Sequence, residues 1–297
     1  MNTVSRHSRA GQVFGDLRKK AKEQSRPVSE LLTLYALEGF LGRLSESAED
    51  RGTFVLKGGV LLGAYDSRRP TRDADLLGQD LSNEAESIHR RVTAIAARVR
   101  DDGLILDTST ITAEVVRDED DYSGVRVSLT YGLASAVLRF HVDVSVGDPV
   151  WPPPQEVLLP GLLEGEISLR GYPLTAALAE KTVTAVQRGE ANTRWRDYAD
   201  IYNLSGTHSF SGAELTSAID VVAEHRKAEL EPLAGLLESY PGLAQTRWAA
   251  WRSRQSHRAA LPPDFETILA AVAHFVDPVS AGLAAGQFWD PAQRIWA

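Results

Sequence analysis

The stretch TFVLKGGVLLGAYDSRRPTRDADLL, residues 53–77, combines a glycine turn with a pair of aspartates and sets the expectation for the fold. Thr53–Leu56 is a short β-prone run that ends at Lys57-Gly58-Gly59. Val60–Tyr65 then has the pattern of a helix, and Ala74–Leu77 has that of the next strand. The stretch therefore predicts a strand, a glycine turn, a helix and a second strand.

The two aspartates of this stretch, Asp73 and Asp75, have the spacing of a metal site. Residues two apart on a strand point to the same face, so both carboxylates can converge on one ion. Mg²⁺ suits such a pair because it takes one or two carboxylates and keeps its other positions for water and phosphates. Gly58 and Gly59 would let backbone N–H groups approach a triphosphate at a helix N-terminus. An isolated Asp-x-Asp is usually a solvated pair and an isolated Gly-Gly is usually a turn, but together they indicate metal-assisted phosphoryl chemistry.

In this order, with apolar residues before the glycines and beside each aspartate, the two elements resemble the start of the active site in polymerase β-like nucleotidyltransferases. That superfamily has a third carboxylate on a later strand, and the resemblance implies Asp143 for this position. An aspartate between Val142 and Val144 would be costly to bury unless it is paired or metal-bound. The alternative is an edge-strand aspartate that faces water. The resemblance implies that Asp73, Asp75 and Asp143 hold the catalytic Mg²⁺ or Mn²⁺.

A closer resemblance is to the AbiEii toxins of type IV toxin–antitoxin pairs, a group that includes MenT-like toxins. Members have a Lys-Gly-Gly start, an Arg-x-Thr-x-Asp-x-Asp-like segment, a lysine on a downstream helix and a terminal Lys/Arg-Asp-x-x-Asp-like element. The matching segments are Lys57-Gly58-Gly59, Arg69-Pro70-Thr71-Arg72-Asp73-Ala74-Asp75, Glu180-Lys181 and Arg196-Asp197-Tyr198-Ala199-Asp200. The first segment is fairly specific, whereas the last two gain weight only from their order.

The AbiEii resemblance also implies roles for residues beyond the three aspartates. Lys181, which lies among small and apolar residues on a predicted helix, would be the cation that holds the triphosphate. Asp197 and Asp200 are three apart and share a helix face, so they either orient Lys181 or an arginine, or take part directly in catalysis. The nucleotide contacts that the resemblance implies are Lys57, Gly58, Gly59, Thr71 and Lys181.

Five arginines are candidates for contacts with RNA, because arginine offers several donors in a fixed fork that suits phosphate groups. Three precede the aspartates and two flank the terminal element: Arg68, Arg69, Arg72, Arg194 and Arg196. For the first three, pairing with nearby Asp66 or with the aspartates of the site is an equally good interpretation.

The rest of the chain predicts an α/β fold of the α+β kind, in which a polymerase β-like nucleotidyltransferase domain with a mixed sheet precedes a helical domain. Further strands are expected at Ile105–Val116, Val125–Leu133 and Leu138–Val146. The acidic run Asp118–Asp121 is interpreted as a solvated hairpin tip. Trp151–Pro154 breaks both helix and strand, and we expect it at the edge of the sheet domain.

After about Leu174 the apolar spacing becomes helical. The expected helices are Leu174–Arg188, Trp195–Leu204, Gly212–Ala223, Leu230–Glu238, Leu243–Arg258 and Phe265–Phe275. We therefore expect a nucleotidyltransferase domain with N-terminal helices over residues 1–165 and a helical domain over residues 166–297.

The composition excludes several classes of protein. With no cysteine, disulfides, zinc–thiolate sites and thiol nucleophiles are excluded. The net charge of −8 argues against indiscriminate coating of nucleic acid, although a local basic site remains compatible with it. No apolar run approaches the roughly 20 residues that span a bilayer, and the polar N-terminus lacks the apolar segment of a secretory signal. We therefore expect a cytoplasmic protein without membrane attachment.

These features predict an enzyme that transfers a nucleoside monophosphate from an NTP to an acceptor hydroxyl and releases pyrophosphate. The family resemblance implies the 3′ end of tRNA as acceptor, loss of aminoacylation, growth arrest and a separate antitoxin protein. One alternative is an enzyme with a small acceptor, of the aminoglycoside nucleotidyltransferase type. The other is an inactive nucleotide- or RNA-binding module that keeps the fold. A basic surface beside the site would favour RNA, and an acidic one would favour an aminoglycoside.

Overall fold

The computed structural model describes residues 7–117, 123–255 and 261–297. The chain forms two compact units, one made of Met1–Asp148 and Gln155–Gly171, the other of Pro149–Pro154 and Tyr172–Ala297. The first unit contains a mixed sheet with helices and the second is mainly helical, which confirms the predicted fold class.

The first unit is organised around a mixed sheet, which has eight strands in the described residues. In chain order they are β1 Phe54–Lys57, β2 Asp73–Gly78, β3 Ile105–Leu106, β4 Thr112–Arg117, β5 Ser123–Leu133, β6 Ala136–Val146, β7 Gln155–Pro160 and β8 Glu166–Gly171. Their spatial order is β3-β5-β6-β2-β1-β8-β7, and β4 also pairs with β5. The pairs β2–β6 and β1–β8 are parallel, and the other pairs are antiparallel. The predicted strand pair thus lies at the centre of the sheet.

The first unit also contains helices, some of which pack on one face of the sheet. They are α1 Arg9–Glu23, α2 Val28–Ser45, α3 Ala48–Thr53, α4 Gly58–Leu61 and α5 Ala85–Ala96. Phe40 of α2 packs on Phe140 of β6, with ring centroids 6.4 Å apart. The Tyr131 hydroxyl of β5 donates to the Ala96 carbonyl at the end of α5, at 3.0 Å. Because side chains alternate along a strand, the same two strands turn a polar set to the other face, namely Arg126, Ser128, His141 and Asp143.

The second unit contains α6 Leu174–Arg188, α7 Trp195–Ser205, α8 Gly212–Arg226, α9 Leu233–Leu236, α10 Tyr240–Arg252 and α11 Phe265–Ser280. Two short strands, β9 Trp289–Asp290 and β10 Ile295–Trp296, form a small hairpin. Aromatic packing joins the helices: Trp195 stacks on Tyr240 at 5.9 Å, and Tyr198 meets Phe265 edge-on at 5.6 Å. Burial of these large rings supplies a hydrophobic core of its own.

Local hydrogen bonds explain why two of the predicted elements are shorter than expected. The strand expected over Ile105–Val116 is interrupted by a 3-10 turn, Thr108–Thr110, which begins where the Asp107 carboxylate accepts from the Ser109 N–H at 3.1 Å. The helix expected over Leu230–Glu238 is reduced to α9. It begins after Pro232, and its first N–H groups donate to the carboxylate of Asp277.

The sequence pattern did not predict β7 and β8. The Trp151–Pro154 break lies just before them, and β8 lies beyond the expected boundary at residue 165, in the first compact unit. The acidic run Asp118–Asp121 lies outside the described residues. The helix expected over Leu243–Arg258 is α10, which begins earlier, at Tyr240, and ends earlier, at Arg252. Each helix in the described part of the chain is too short or too polar to cross a membrane.

Candidate active site

The central strand β2 brings the predicted carboxylates together. Its register places Asp75 opposite Lys57 of β1 on one side and opposite Asp143 of β6 on the other. Asp73 lies two residues earlier on the same face of β2. Neighbouring strands lie about 5 Å apart, so the sheet collects three carboxylates and one ammonium in a small area of one face.

Asp75 is the most perturbed of these groups. Burial, followed by the negative charges of Asp73 and Asp143, raises the pKa of Asp75 to about 6. The positive charges of Lys57 and Arg69 act in the opposite direction. Like charges held this close disfavour ionisation of one another, and a bound cation would relieve that repulsion.

The glycine turn leaves room for the Asp75 carboxylate. Gly58 has a φ of +66°, and a Cβ built on it would lie 1.9 Å from Oδ2 of Asp75. A Cβ on Gly59 would lie 3.0 Å from both the Arg69 guanidinium and the Thr71 hydroxyl. The turn therefore packs tightly around the site residues, which is a reason for glycine that the motif alone did not reveal.

Thr71 and Arg69 support the aspartates from the loop before β2. The Thr71 hydroxyl donates to Oδ1 of Asp73 at 2.5 Å, and Thr71 is buried. Arg69 is also buried, with 8% of its surface exposed, and its charge acts on Asp75. Both side chains lie among the site residues rather than on an open surface.

Lys57 is held by a residue that the sequence analysis missed. Its ammonium donates to Oδ2 of Asp148 at 2.7 Å, and the hydroxyl of Ser145 donates to the same oxygen at 2.6 Å. Asp148 is buried just past the end of β6. The available signal was a carboxylate directly after β6, the strand that carries Asp143. Its lysine partner, Lys57, lies 91 residues away in sequence.

The other two arginines of the loop before β2 differ in environment. Arg68 pairs with Glu38 of α2 and donates to the Pro160 carbonyl, instead of pairing with Asp66. The second oxygen of Glu38 accepts from the Leu162 N–H at 2.9 Å, and burial raises the pKa of this carboxyl group. The side chain of Arg72 is exposed. The RNA-binding role of both arginines stays a prediction.

Arg126 of β5 is a further residue that the sequence analysis missed. It donates from Nε to Oδ1 of Asp143 at 2.8 Å and from Nη2 to Oδ2 at 2.7 Å. Alternation along β5 puts Arg126 on the polar face, and this was the available signal, but the register that aligns it with Asp143 could not be read from the sequence.

The donor set fits a hard divalent cation. Carboxylate oxygens are the ligands that Mg²⁺ and Mn²⁺ prefer, and the clustered charges near Asp75 provide the electrostatic reason to bind one. In residues 7–117, 123–255 and 261–297, no three His, Cys, Asp or Glu side chains converge as a ready ligand set. Asp73 and Asp75 share one face of β2, whereas the carboxylate of Asp143 is directed at Arg126.

A second cluster lies within the helical unit, where α6 and α7 pack together. The Lys181 ammonium donates to Oδ1 of Asp197 at 2.7 Å and to Oδ2 of Asp200 at 2.8 Å. Arg194, at the start of α7, contacts the other oxygen of Asp197 at 2.8 Å, while Arg196 is exposed. The two aspartates thus hold Lys181, which agrees with the orienting role among the alternatives. A direct part in catalysis stays a prediction.

Comparison with known proteins identifies the family of this chain. A family model described as "Nucleotidyl transferase AbiEii toxin, Type IV TA system" matches residues 40–271. No curated protein matches the chain significantly. A crystal structure of a candidate nucleotidyltransferase from H. pylori is 16% identical, covering 86% of this chain and 96% of that chain, with a TM-score of 0.48. The structure of JHP933 from Helicobacter pylori is 16% identical, covering 84% and 90%, with a TM-score of 0.45. Because the family model spans well over half of the chain, this protein belongs to the AbiEii family of nucleotidyltransferases, the toxins of type IV toxin–antitoxin systems.

Proposed function

We propose that this toxin transfers a nucleoside monophosphate from an NTP to the 3′ end of a tRNA, which blocks aminoacylation and arrests growth. The family establishes a nucleotidyltransferase toxin with an NTP substrate and an antitoxin partner. The observation that carries the proposal is the grouping of Asp73, Asp75 and Asp143 on adjacent strands. The cytoplasm, where NTPs and tRNA are available, is the proposed place of action.

In this proposal the carboxylates hold the cation and the surrounding residues hold the nucleotide. When bound, Mg²⁺ or Mn²⁺ would screen the triphosphate and polarise the phosphoryl oxygens. Asp73 and Asp75 would be its principal ligands, with Asp143 as the third. The terminal tRNA hydroxyl forms a new bond to the α-phosphorus, the bond to pyrophosphate breaks, and the hydroxyl proton passes to a site carboxylate or to water.

Lys57, Thr71 and the glycine turn are proposed to contact the nucleotide, in line with the family resemblance. Support for Thr71 and Gly58 comes from their direct packing on the aspartates. Lys181 is proposed as the cation that neutralises the triphosphate, with Asp197 and Asp200 fixing its ammonium. For RNA, the proposed phosphate contacts are Arg68, Arg69, Arg72, Arg194 and Arg196. The exposed ones, Arg72, Arg194 and Arg196, are the best placed to meet a large substrate.

The test is transfer of label to tRNA. Purified protein is incubated with total tRNA, Mg²⁺ or Mn²⁺, and each α-labelled NTP in turn, and the tRNA is separated on a denaturing gel. An aminoglycoside replaces tRNA in a parallel reaction. We expect label on tRNA with at least one NTP, and loss of aminoacylation of the labelled tRNA.

Asp75→Asn is the variant that tests the site. It should lower transfer on the order of 100-fold or more, because a metal ligand supplies several kcal/mol of transition-state stabilisation. Asp66→Asn is the matched control, since Asp66 is an exposed carboxylate close by in sequence. Transfer by Asp75→Asn within a few-fold of the unmodified protein would remove Asp75 from the site. Label on the aminoglycoside alone would favour the small-acceptor alternative, and NTP binding without transfer would favour the inactive module.

A further inference from the structure

A row of charged residues crosses the polar face of the sheet in exact register. Successive strand pairs align Glu114 of β4 with Arg126 of β5, Arg126 with Asp143 of β6, Asp143 with Asp75 of β2, and Asp75 with Lys57 of β1. Directly opposed side chains on neighbouring strands lie about 5 Å apart at Cβ. Arg126 is therefore the one member of this row that has a carboxylate on each side.

The pair between Arg126 and Asp143 uses both oxygens of the carboxylate. Two parallel N–H···O bonds, of 2.8 and 2.7 Å, form the bidentate geometry that is specific to arginine. The side chains are 32% and 27% exposed, so solvent weakens the pair and makes it breakable. A cation that is to take an oxygen of Asp143 must compete with this guanidinium.

Glu114 offers Arg126 a second partner. It is exposed, and its negative charge already acts on Arg126 together with those of Asp143 and Asp73. A rotation of the Arg126 side chain toward β4 would replace Asp143 by Glu114 as its partner, because both carboxylates lie on strands directly beside β5. The guanidinium can thus leave Asp143 without losing all of its charge compensation.

We propose that Arg126 is a positioning residue that controls access of the divalent cation to Asp143 by moving between Asp143 and Glu114. The inference rests on the proposed function, because it requires the carboxylate cluster to bind a cation. Binding of cation and nucleotide would draw Asp143 toward Asp75, and Arg126 would pair with Glu114. The third carboxylate would then join the site only when the substrate is loaded.

The experiment measures binding of Mn²⁺ by electron paramagnetic resonance, without nucleotide and with a non-hydrolysable NTP analogue. Arg126→Gln should bind Mn²⁺ alone about fivefold more tightly than the unmodified protein, since a partly exposed pair competes by about that factor. Arg126→Lys, which keeps the charge but has no fork, should give an intermediate affinity. The gain in Mn²⁺ affinity should be smaller when the NTP analogue is present, because the Arg126–Asp143 pair is already broken in that state.

Two controls separate this exchange from a general effect of charge. Arg139→Gln removes an exposed arginine from β6, four residues and roughly 13 Å from Asp143, and should change Mn²⁺ affinity less than twofold. Introduced alone, Glu114→Gln should weaken Mn²⁺ binding about twofold. Added to Arg126→Gln, it should leave Mn²⁺ affinity unchanged.

Equal Mn²⁺ affinity of Arg126→Gln and the unmodified protein would overturn the inference and leave the proposed function intact. An equal gain with Arg139→Gln would also overturn it. Absence of Mn²⁺ binding in every variant at millimolar concentration, with and without the NTP analogue, would contradict the proposed function itself. Tighter binding confined to the Arg126 variants supports the exchange.

Discussion

At the scale of single residues, the environment of Asp75 is the tightest constraint in the candidate active site. Its carboxylate is crowded by the glycine turn, by two other carboxylates and by Lys57. The tight packing fixes its direction, while the clustered charge makes it reactive toward a cation. A side chain at position 58 would disturb both properties at once.

Gly58→Ala should abolish transfer and lower the free energy of unfolding by roughly 1–3 kcal/mol, because the new Cβ meets the carboxylate at a strained positive φ. Activity and urea unfolding would be measured together. Gly52→Ala is the control, since a Cβ there meets nothing within 4 Å. If Gly58→Ala kept normal transfer, the turn would not position Asp75.

At the scale of elements, α6 and α7 hold a buried cation between them. Lys181 is 10% exposed, and the two aspartates that hold it are one helical turn apart on α7. Breaking a buried pair leaves an uncompensated charge, so the cluster contributes to stability as well as to any catalytic role. The two contributions must be separated experimentally.

Lys181→Met should raise the KM for NTP severely and destabilise the protein by roughly 3 kcal/mol, because Asp197 and Asp200 lose the buried ammonium that donates to both of them. The double variant Lys181→Met/Asp200→Asn should recover much of the stability but none of the NTP use. Lys227→Ala, at an exposed lysine, is the control. Recovery of activity in the double variant would assign Lys181 a purely structural role.

Helix α2 carries a buried carboxylate, Glu38, whose charge is compensated by Arg68. Arg68→Gln should destabilise the protein by about 3 kcal/mol at neutral pH, because Glu38 is 7% exposed and would lose the guanidinium that offsets the cost of burying its charge. Burial raises the pKa of Glu38, and Arg68 lowers it. In the variant this pKa rises further, so the folded state takes up a proton more readily and the deficit should shrink as the pH falls.

Urea unfolding at pH 5 and pH 7.5 would measure this dependence on pH. Arg170→Gln is the control, since that arginine donates to the backbone carbonyl of Gly52, which does not titrate between these pH values. If Arg68→Gln lowered the free energy of unfolding equally at both pH values, burial of the Glu38 charge would not be the cause of the loss.

At the scale of the whole molecule, the charge limits how the toxin can hold RNA. The chain has 32 Lys and Arg residues against 40 Asp and Glu residues, so long-range attraction to a polyanion is weak. In the proposed function, affinity for tRNA would come from a small number of local arginines. Binding should consequently depend on salt less steeply than it does for strongly basic proteins.

Arg72→Gln and Arg196→Gln should each reduce the slope of log K against log salt by about 0.7–0.9, the value expected for one lost phosphate contact. The slope would be measured from tRNA binding between about 50 and 200 mM salt. Arg90→Gln, at an exposed arginine of α5, is the control. An equal reduction with Arg90→Gln would show that the assigned arginines have no special part.

The sequence by itself determined the local features of this protein. Apolar alternation placed Asp73 and Asp75 on one strand and Asp143 on another, and helical spacing indicated most of the C-terminal helices. Family motifs then indicated the chemistry. These inferences succeeded because periodicity and motif spacing depend on residues close together in the chain.

Only the tertiary structure decided which distant residues meet. The partners of Lys57, Arg68 and Asp143 lie 91, 30 and 17 residues away in sequence. Strands β7 and β8 lacked a strong local signal. They pair with each other, and β8 joins the rest of the sheet through β1, which lies more than a hundred residues earlier. Strand register and ion pairing depend on burial and on the packing of remote segments, and no short window of sequence contains that information.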